Sequence, residues 1–216
     1  MTFLEMVKEV SQVGGVAGHT NISSVADLQG EHGRTKKFVQ QAYDEICAMH
    51  ADWMFLWAHD ERSVSAALVD PPADLATWNV ERFMLDGETL PTLDWSAYTP
   101  EDVGPHRPAH AILRPDNKIL LHPAPDQAYA LAFDYWRRAD PLEADGDIPL
   151  IPVQFRRAIV GRALWLMGNY EFAEDLMKQG QEMYQFALEQ LERHQLPGRQ
   201  QAHARHEGSP IQVVPE

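Results

Sequence analysis

The chain has 216 residues, with 18 Lys and Arg against 32 Asp and Glu, a formal charge of −14. That length suits one large domain or a domain carrying a sizeable insertion, and burial of roughly 70% of the unfolded surface needs no covalent staple. The charge argues against general affinity for nucleic acid, which needs a basic face to release counterions; by itself it implies mainly solubility and self-repulsion.

The N-terminus, MTFLEMVKEV, carries charge where a signal peptide would be apolar. No apolar run approaches the roughly 18 residues of a membrane span, so a soluble protein is expected. Phe3, Leu4, Val7, Val10 and Val13 recur near every 3.6 residues and predict a short first helix. The run VGGVAGH (13–19) ends it; with no strand before it and no Lys-Ser/Thr after it, a phosphate loop is not expected. A second helix is predicted from near Arg34 to near Ala51, with Val39, Ala42, Tyr43, Ile46, His50 and Trp53 as its stripe, continued by WMFLW. Cys47, the single cysteine, excludes an intramolecular disulfide and fits a reducing compartment. It lies beside that stripe and reads as a small core side chain, with no basic partner to make it a nucleophile.

From about residue 60 to 138 the period changes to two. ERSVSAALV and TWNVERFML read as strands separated by DPPAD, and PAHAILRPDNKILLHPAPDQAYALAFDYW supplies three more, with turns at RPDN and PAPD. In the last strand Tyr129, Leu131, Phe133 and Tyr135 share one face, and Ala128, Ala130, Ala132 and Asp134 the other. Five strands in an antiparallel meander, a small sheet or half-barrel, are expected.

The stretch ADGDIPLIPVQFRRAI (144–159) returns the chain to helix. Pro152 suits a first helical turn, where its missing N–H is no loss, and it keeps Ile151 extended. Asp145 and Asp147 lie ahead of the helix, too far to cap it. Phe155, Ile159, Ala163, Leu166 and Tyr170 mark one face of a third helix, which Gly168 and Asn169 break. Ala173, Leu176, Met177, Gly180, Tyr184, Ala187, Leu188 and Leu191 mark a fourth, with Gly161 and Gly180 permitting close approach. Each large side chain buried in these stripes contributes about 1.5–3 kcal/mol, which outweighs local propensity. The tail from Leu196 to Glu216 has no stripe and is expected to be mobile unless a partner grips it.

The fold class expected is therefore α+β: a four-helix bundle with an antiparallel strand-rich insertion between the second and third helices, and an extended C-terminal tail. The boundaries fall at 1–58 for helices one and two, 59–147 for the insertion, 148–195 for helices three and four, and 196–216 for the tail.

Catalytic signatures are sparse. His106 and His110 have a four-residue spacing, but Pro108 between them works against a helix, and loop histidines are the plainer reading; His203 and His206 are similar. EADGD (143–147) lacks the repeated acidic spacing of a calcium loop. No G-x-S-x-G, H-E-x-x-H, Walker or dinucleotide motif occurs, so neither an enzyme nor a cofactor is expected. The cations Arg34, Lys36 and Lys37 are placed in the first turn of helix two, where the helix dipole disfavours them. They form either a solvated helix end or a contact for an acidic neighbour, such as another copy of this chain. Arg156, Arg157 and Arg162 near the start of helix three allow the same two readings, with Arg156 and Arg157 the candidates for subunit contact.

Three stretches carry a resemblance: AYDEICAMHADWMFLW, KILLHPAPDQAYALAFDYWRRADPL and DIPLIPVQFRRAIVGRALWLMGNYEFAEDLMKQGQEMY. Over roughly residues 30–195 the chain resembles the head-to-tail adaptors of tailed bacteriophages, also called connector or head-completion proteins, including the tubular-tail gatekeeper type. The resemblance implies a structural virion protein in the neck between capsid and tail, assembled in the host cytoplasm. Such proteins form a homo-oligomeric ring, usually a dodecamer, which binds the portal protein and presents a platform to a tail or tail-completion protein. DNA passes through the channel without sequence-specific binding, and no membrane is involved. A C-terminal extension commonly docks on the portal, which makes Ile211, Val213 and Val214 the candidate portal-docking anchors.

Other readings predict different behaviour. A non-viral intracellular helical interaction protein would show no affinity for a portal. A small hydrolase-type enzyme would need a pocket between bundle and insertion, near His106, His110 and Asp134. A DNA-binding regulator would bind duplex saturably.

Overall fold

The computed structural model describes residues 1–100 and 103–196. The protein is α+β and divides into two compact units: Met1–Phe55 with the described residues from Ala139 onward, and Leu56–Arg138.

The first unit holds four helices. Helix α1 (Phe3–Val13) starts with a capping box, in which the Thr2 hydroxyl accepts from the Glu5 amide at 3.3 Å and the Glu5 carboxylate accepts from the Thr2 amide at 2.7 Å. This satisfies two amide donors that a helix start otherwise leaves open. Phe3, Met6, Val7 and Val10 form its buried stripe. Helix α2 (Gly30–Met49) buries Thr35, Val39, Ala42, Tyr43 and Ile46, and the fully buried Trp53 donates its indole N–H to Ile46 O at 2.9 Å.

Helices α3 (Arg157–Glu171) and α4 (Glu174–Gln195) form a tight hairpin. Their backbones nearly touch at three glycines. A Cβ on Gly161 would stand 2.6 Å from Tyr184 N, one on Gly168 2.5 Å from Met177 N, and one on Gly180 would run into Trp165 N. Gly168 therefore does not end α3 as its sequence suggests; it is a contact point, and the helix continues to Glu171. The third helix also starts later than expected, because a 3-10 turn at Val153–Phe155 follows Pro152 and precedes Arg157.

Among its described residues the second unit has eight strands where five were expected, arranged in two sheets. Strands β1 (Trp57–Val64), β8 (Tyr129–Arg137), β3 (Leu75–Leu85) and β4 (Glu88–Thr89) form the first in the order β1-β8-β3-β4, all antiparallel. Strands β2 (Leu68–Val69), β7 (Ile119–His122), β6 (His110–Leu113) and β5 (Thr92–Asp94) form the second in the order β2-β7-β6-β5, in which β5 and β6 are parallel. The stretch read as one strand, ERSVSAALV, changes sheet midway. Ser65, Ala66 and Ala67 lie between β1 and β2, and their small side chains leave the chain free to turn there. The bulky face of β8 supplies Tyr129, Leu131, Phe133 and Tyr135 to a buried core shared with Phe83 and Leu85 of β3 and with Ala111, Ile119 and Leu121 of the second sheet. Between Trp78 and Phe83 the β3–β8 register slips, so that five steps along β3 match two along β8. Such a bulge re-aims the side chains it contains.

Candidate assembly surfaces

The stretch 144–159 is a knot that ties three parts of the helical unit together. Asp145 Oδ1 accepts from Val25 N at 2.5 Å, and the Asp147 carboxylate accepts from the amides of Glu143 and Ala144, each at 2.7 Å. Those two backbone bonds hold the Asp147 carboxyl below its usual range. The carbonyls of Asp147 and Asp145 accept from Phe3 N and Leu4 N at 2.8 and 3.3 Å, so they cap the first turn of α1 and not α3. From the other side, Arg156 donates to Ile151 O at 2.8 Å and to Pro149 O and Met1 O at 3.1 Å each. A planar guanidinium suits this role because its donors reach several carbonyls at once.

The two arginines therefore differ. Arg156 binds three carbonyls of its own unit, whereas the neighbouring Arg157 has a side chain 68% exposed, with Glu9 3.9 Å away. The helix-two cations lie in the second turn of α2, not the first, because the helix begins at Gly30. With Leu28, Gln29, Gly30 and Gly33 they line a cleft of about 420 Å³. Lys36 Nζ donates to Val25 O at 3.0 Å, and the Arg34 guanidinium lies 5.4 Å from the centre of the Tyr170 ring.

A second depression in the same unit, about 520 Å³, is mostly apolar. It is lined by Glu45, Ala48, Met49, Arg162, Trp165 and Tyr184. Arg162 donates to Glu45 at 2.7 Å, and its guanidinium lies 4.4 Å from the Trp165 ring centre, so charge and stacking together fix this wall.

Sequence reasoning missed the most exposed hydrophobic side chain described, Phe172, at 92% exposure. It closes α3 in the left-handed region, with φ +56° and ψ +31°. Glycine is the usual residue there, and an L side chain costs about 1–2 kcal/mol. The signal available was an aromatic in the break between the third and fourth apolar stripes, three residues past Asn169.

In the strand unit, Asp134 is 7% exposed and does not meet His106 or His110 in a hydrogen bond. Its carboxylate accepts from His59 at 2.7 Å and from Arg82, carried on the β3 bulge, at 3.3 Å. Burial pushes its pKa up, but the bonds from His59, Arg82 and Trp57 outweigh this and leave it lowered. His106 donates its amide to Ala124 O, and His110 pairs across the second sheet with His122. Burial pushes the Cys47 thiol up to about 12, the opposite of what a nucleophile needs. Among the described residues no three His, Cys, Asp or Glu gather as metal ligands, and no helix is long and apolar enough to cross a membrane. His203, His206 and the anchors Ile211, Val213 and Val214 lie outside the described residues.

No curated protein matches this chain. A family model, described as SU10 adaptor protein, matches residues 1–211. That span covers both units and agrees with the resemblance to phage head-to-tail adaptors carried by the helix-two, meander and helix-three stretches. The chain belongs to the SU10 adaptor protein family.

Proposed function

We propose that the protein is a structural component of the virion neck, forming a ring between the portal and the tail. The ring extends the DNA channel and offers the tail its attachment platform. The observation that carries this reading is the family match across residues 1–211. The four helices act as a bundle that packs side by side with neighbouring copies, and the strand-rich part is an insertion between the second and third helices. The resemblance implies a ring of twelve copies.

The charge supports a conduit: a chain at −14 lets DNA slide past without holding it. Arg34, Lys36, Lys37 and Arg157 are the subunit-contact cations, and Arg156 keeps the return segment in shape beside them. Residues 196–216 are the portal-docking extension, with Ile211, Val213 and Val214 as its apolar anchors.

Native mass spectrometry tests the reading, using the full chain and a form ending at Gln195, each alone and mixed with the portal ring. The full chain is expected to load in a multiple that matches the portal's symmetry, and the shortened form is not. Equal loading of both would remove the tail's role. Failure of both to load would remove the adaptor reading.

A further inference from the structure

The cleft of about 420 Å³ at the start of α2 has three cations in its wall, Arg34, Lys36 and Lys37, and no carboxylate. Lys36 and Gln40 fix that wall by donating to Val25 O at 3.0 Å and to Leu142 O at 2.7 Å. Arg34 rests on the Tyr170 ring, and Lys37 is exposed. A ring and two carbonyls bring no net negative charge, so among the described residues the three cations have no anionic partner. Like charges held together repel, and an anion seated in the cleft relieves that repulsion.

The chain itself supplies such anions, with 32 Asp and Glu against 18 Lys and Arg. Copies at −14 repel as they meet, so a ring of them needs attraction at its seams. Helix α4 offers it. It packs on α3, which packs in turn on α2, and α2 and α4 meet at Met49 and His50, the end of α2 away from the cleft. Helix α4 buries Gly180 and Ala187 and exposes Asp175 and Glu182. Seven residues separate those two carboxylates, so they share the side opposite the buried one, about 10 Å apart along the axis. Among the described residues neither makes an ion pair. Lys178 stands between them, and the exposed Glu174 beside them keeps the face net negative.

We propose that the α2 cleft of one copy seats the outer face of α4 from the next copy, with Arg34 and Lys37 facing Asp175 and Glu182. The seam joins two different patches of the subunit, so every copy both gives and receives, and such a contact repeats around a ring. This inference rests on the ring reading above and names the face that answers the subunit-contact cations.

The test is sedimentation of the full-length protein over a range of concentrations, alone and with the portal ring, using two double variants. Arg34→Glu with Lys37→Glu reverses the cleft and leaves Lys36 to hold its wall. Asp175→Lys with Glu182→Lys reverses the face of α4. Each is expected to melt near the wild type and to associate roughly tenfold or more weakly, because like charges then meet at the seam. The α4 variant is less acidic than the wild type, so bulk repulsion alone would strengthen its association. An equimolar mixture is expected to restore assembly, since every cleft again faces a side of opposite charge. Wild-type assembly by the cleft variant leaves the ring standing and overturns the seam. Loss in the cleft variant but not in the α4 variant, or a mixture that fails to assemble, overturns α4 as the occupant. Duplex DNA that binds the wild type at low salt and not the cleft variant gives the cleft to phosphates and overturns the second copy. A wild type that assembles neither alone nor on the portal ring overturns the ring reading and this seam with it.

Discussion

The helical and strand units solve the same packing problem in opposite ways. Where α3 meets α4, specificity comes from missing side chains: Gly161, Gly168 and Gly180 let two backbones approach until a single added carbon would collide. In the strand unit it comes from bulk. Phe83 and Phe133 stack with ring centres 5.6 Å apart, and Trp78 stands edge-on to Phe133 at 5.2 Å. Close helix contact depends on small residues at fixed positions, whereas a sheet core depends on filled volume. Overpacking should therefore be the weak point of one unit and cavity formation that of the other.

The largest expected effect is Phe133→Ala, which opens a cavity among Phe83, Trp78 and Leu131. A loss of about 3–5 kcal/mol is expected, read as early melting of sheet signals in hydrogen exchange while α3 and α4 stay protected. Equal loss of protection in the helices would break the comparison. Gly161→Val tests the other half by forcing a branched side chain against Tyr184 N. It should cost about 3 kcal/mol, with α3 and α4 losing protection first; a wild-type urea midpoint would show that the close approach is dispensable.

Asp134 gives a smaller effect with a defined sign. Its folded pKa is lowered, so its contribution is present above the unfolded carboxyl value, about 3.9. That contribution disappears as pH falls through the lower folded value. Asp134→Asn should destabilise the strand unit near neutrality by about 1 kcal/mol or less, since His59 and Arg82 are well exposed. The difference from wild type should shrink in thermal melts below about pH 4. A gap that stays constant into acid would mean that Asp134 acts through shape and not charge. The smallest expected change is a gain. Phe172→Gly relieves left-handed strain but loosens the unfolded chain, leaving a net stabilisation of about 0.5 kcal/mol. Destabilisation instead would mean that the ring packs within its own subunit.

Much of this protein could be read from residue spacing. The stripes of α1 and α2, the α3–α4 hairpin with Gly161 and Gly180, the two-faced β8 and the proline-guided return to helix all follow from periods of 3.6 and 2 and from backbone constraints that act within a few residues. Those short-range rules also carried the family resemblance. Tertiary structure alone decided the rest. A period of two says which face of ERSVSAALV is buried, but not that its two halves join different sheets, because pairing depends on partners elsewhere in the chain. Asp145 meets Val25 across 120 positions, and Asp134 meets His59 across 75. Arg162 reaches Glu45 across 117 to wall the apolar depression. No local pattern encodes such meetings, because they exist only once the elements have packed and the free energy of burial has chosen which surfaces face each other.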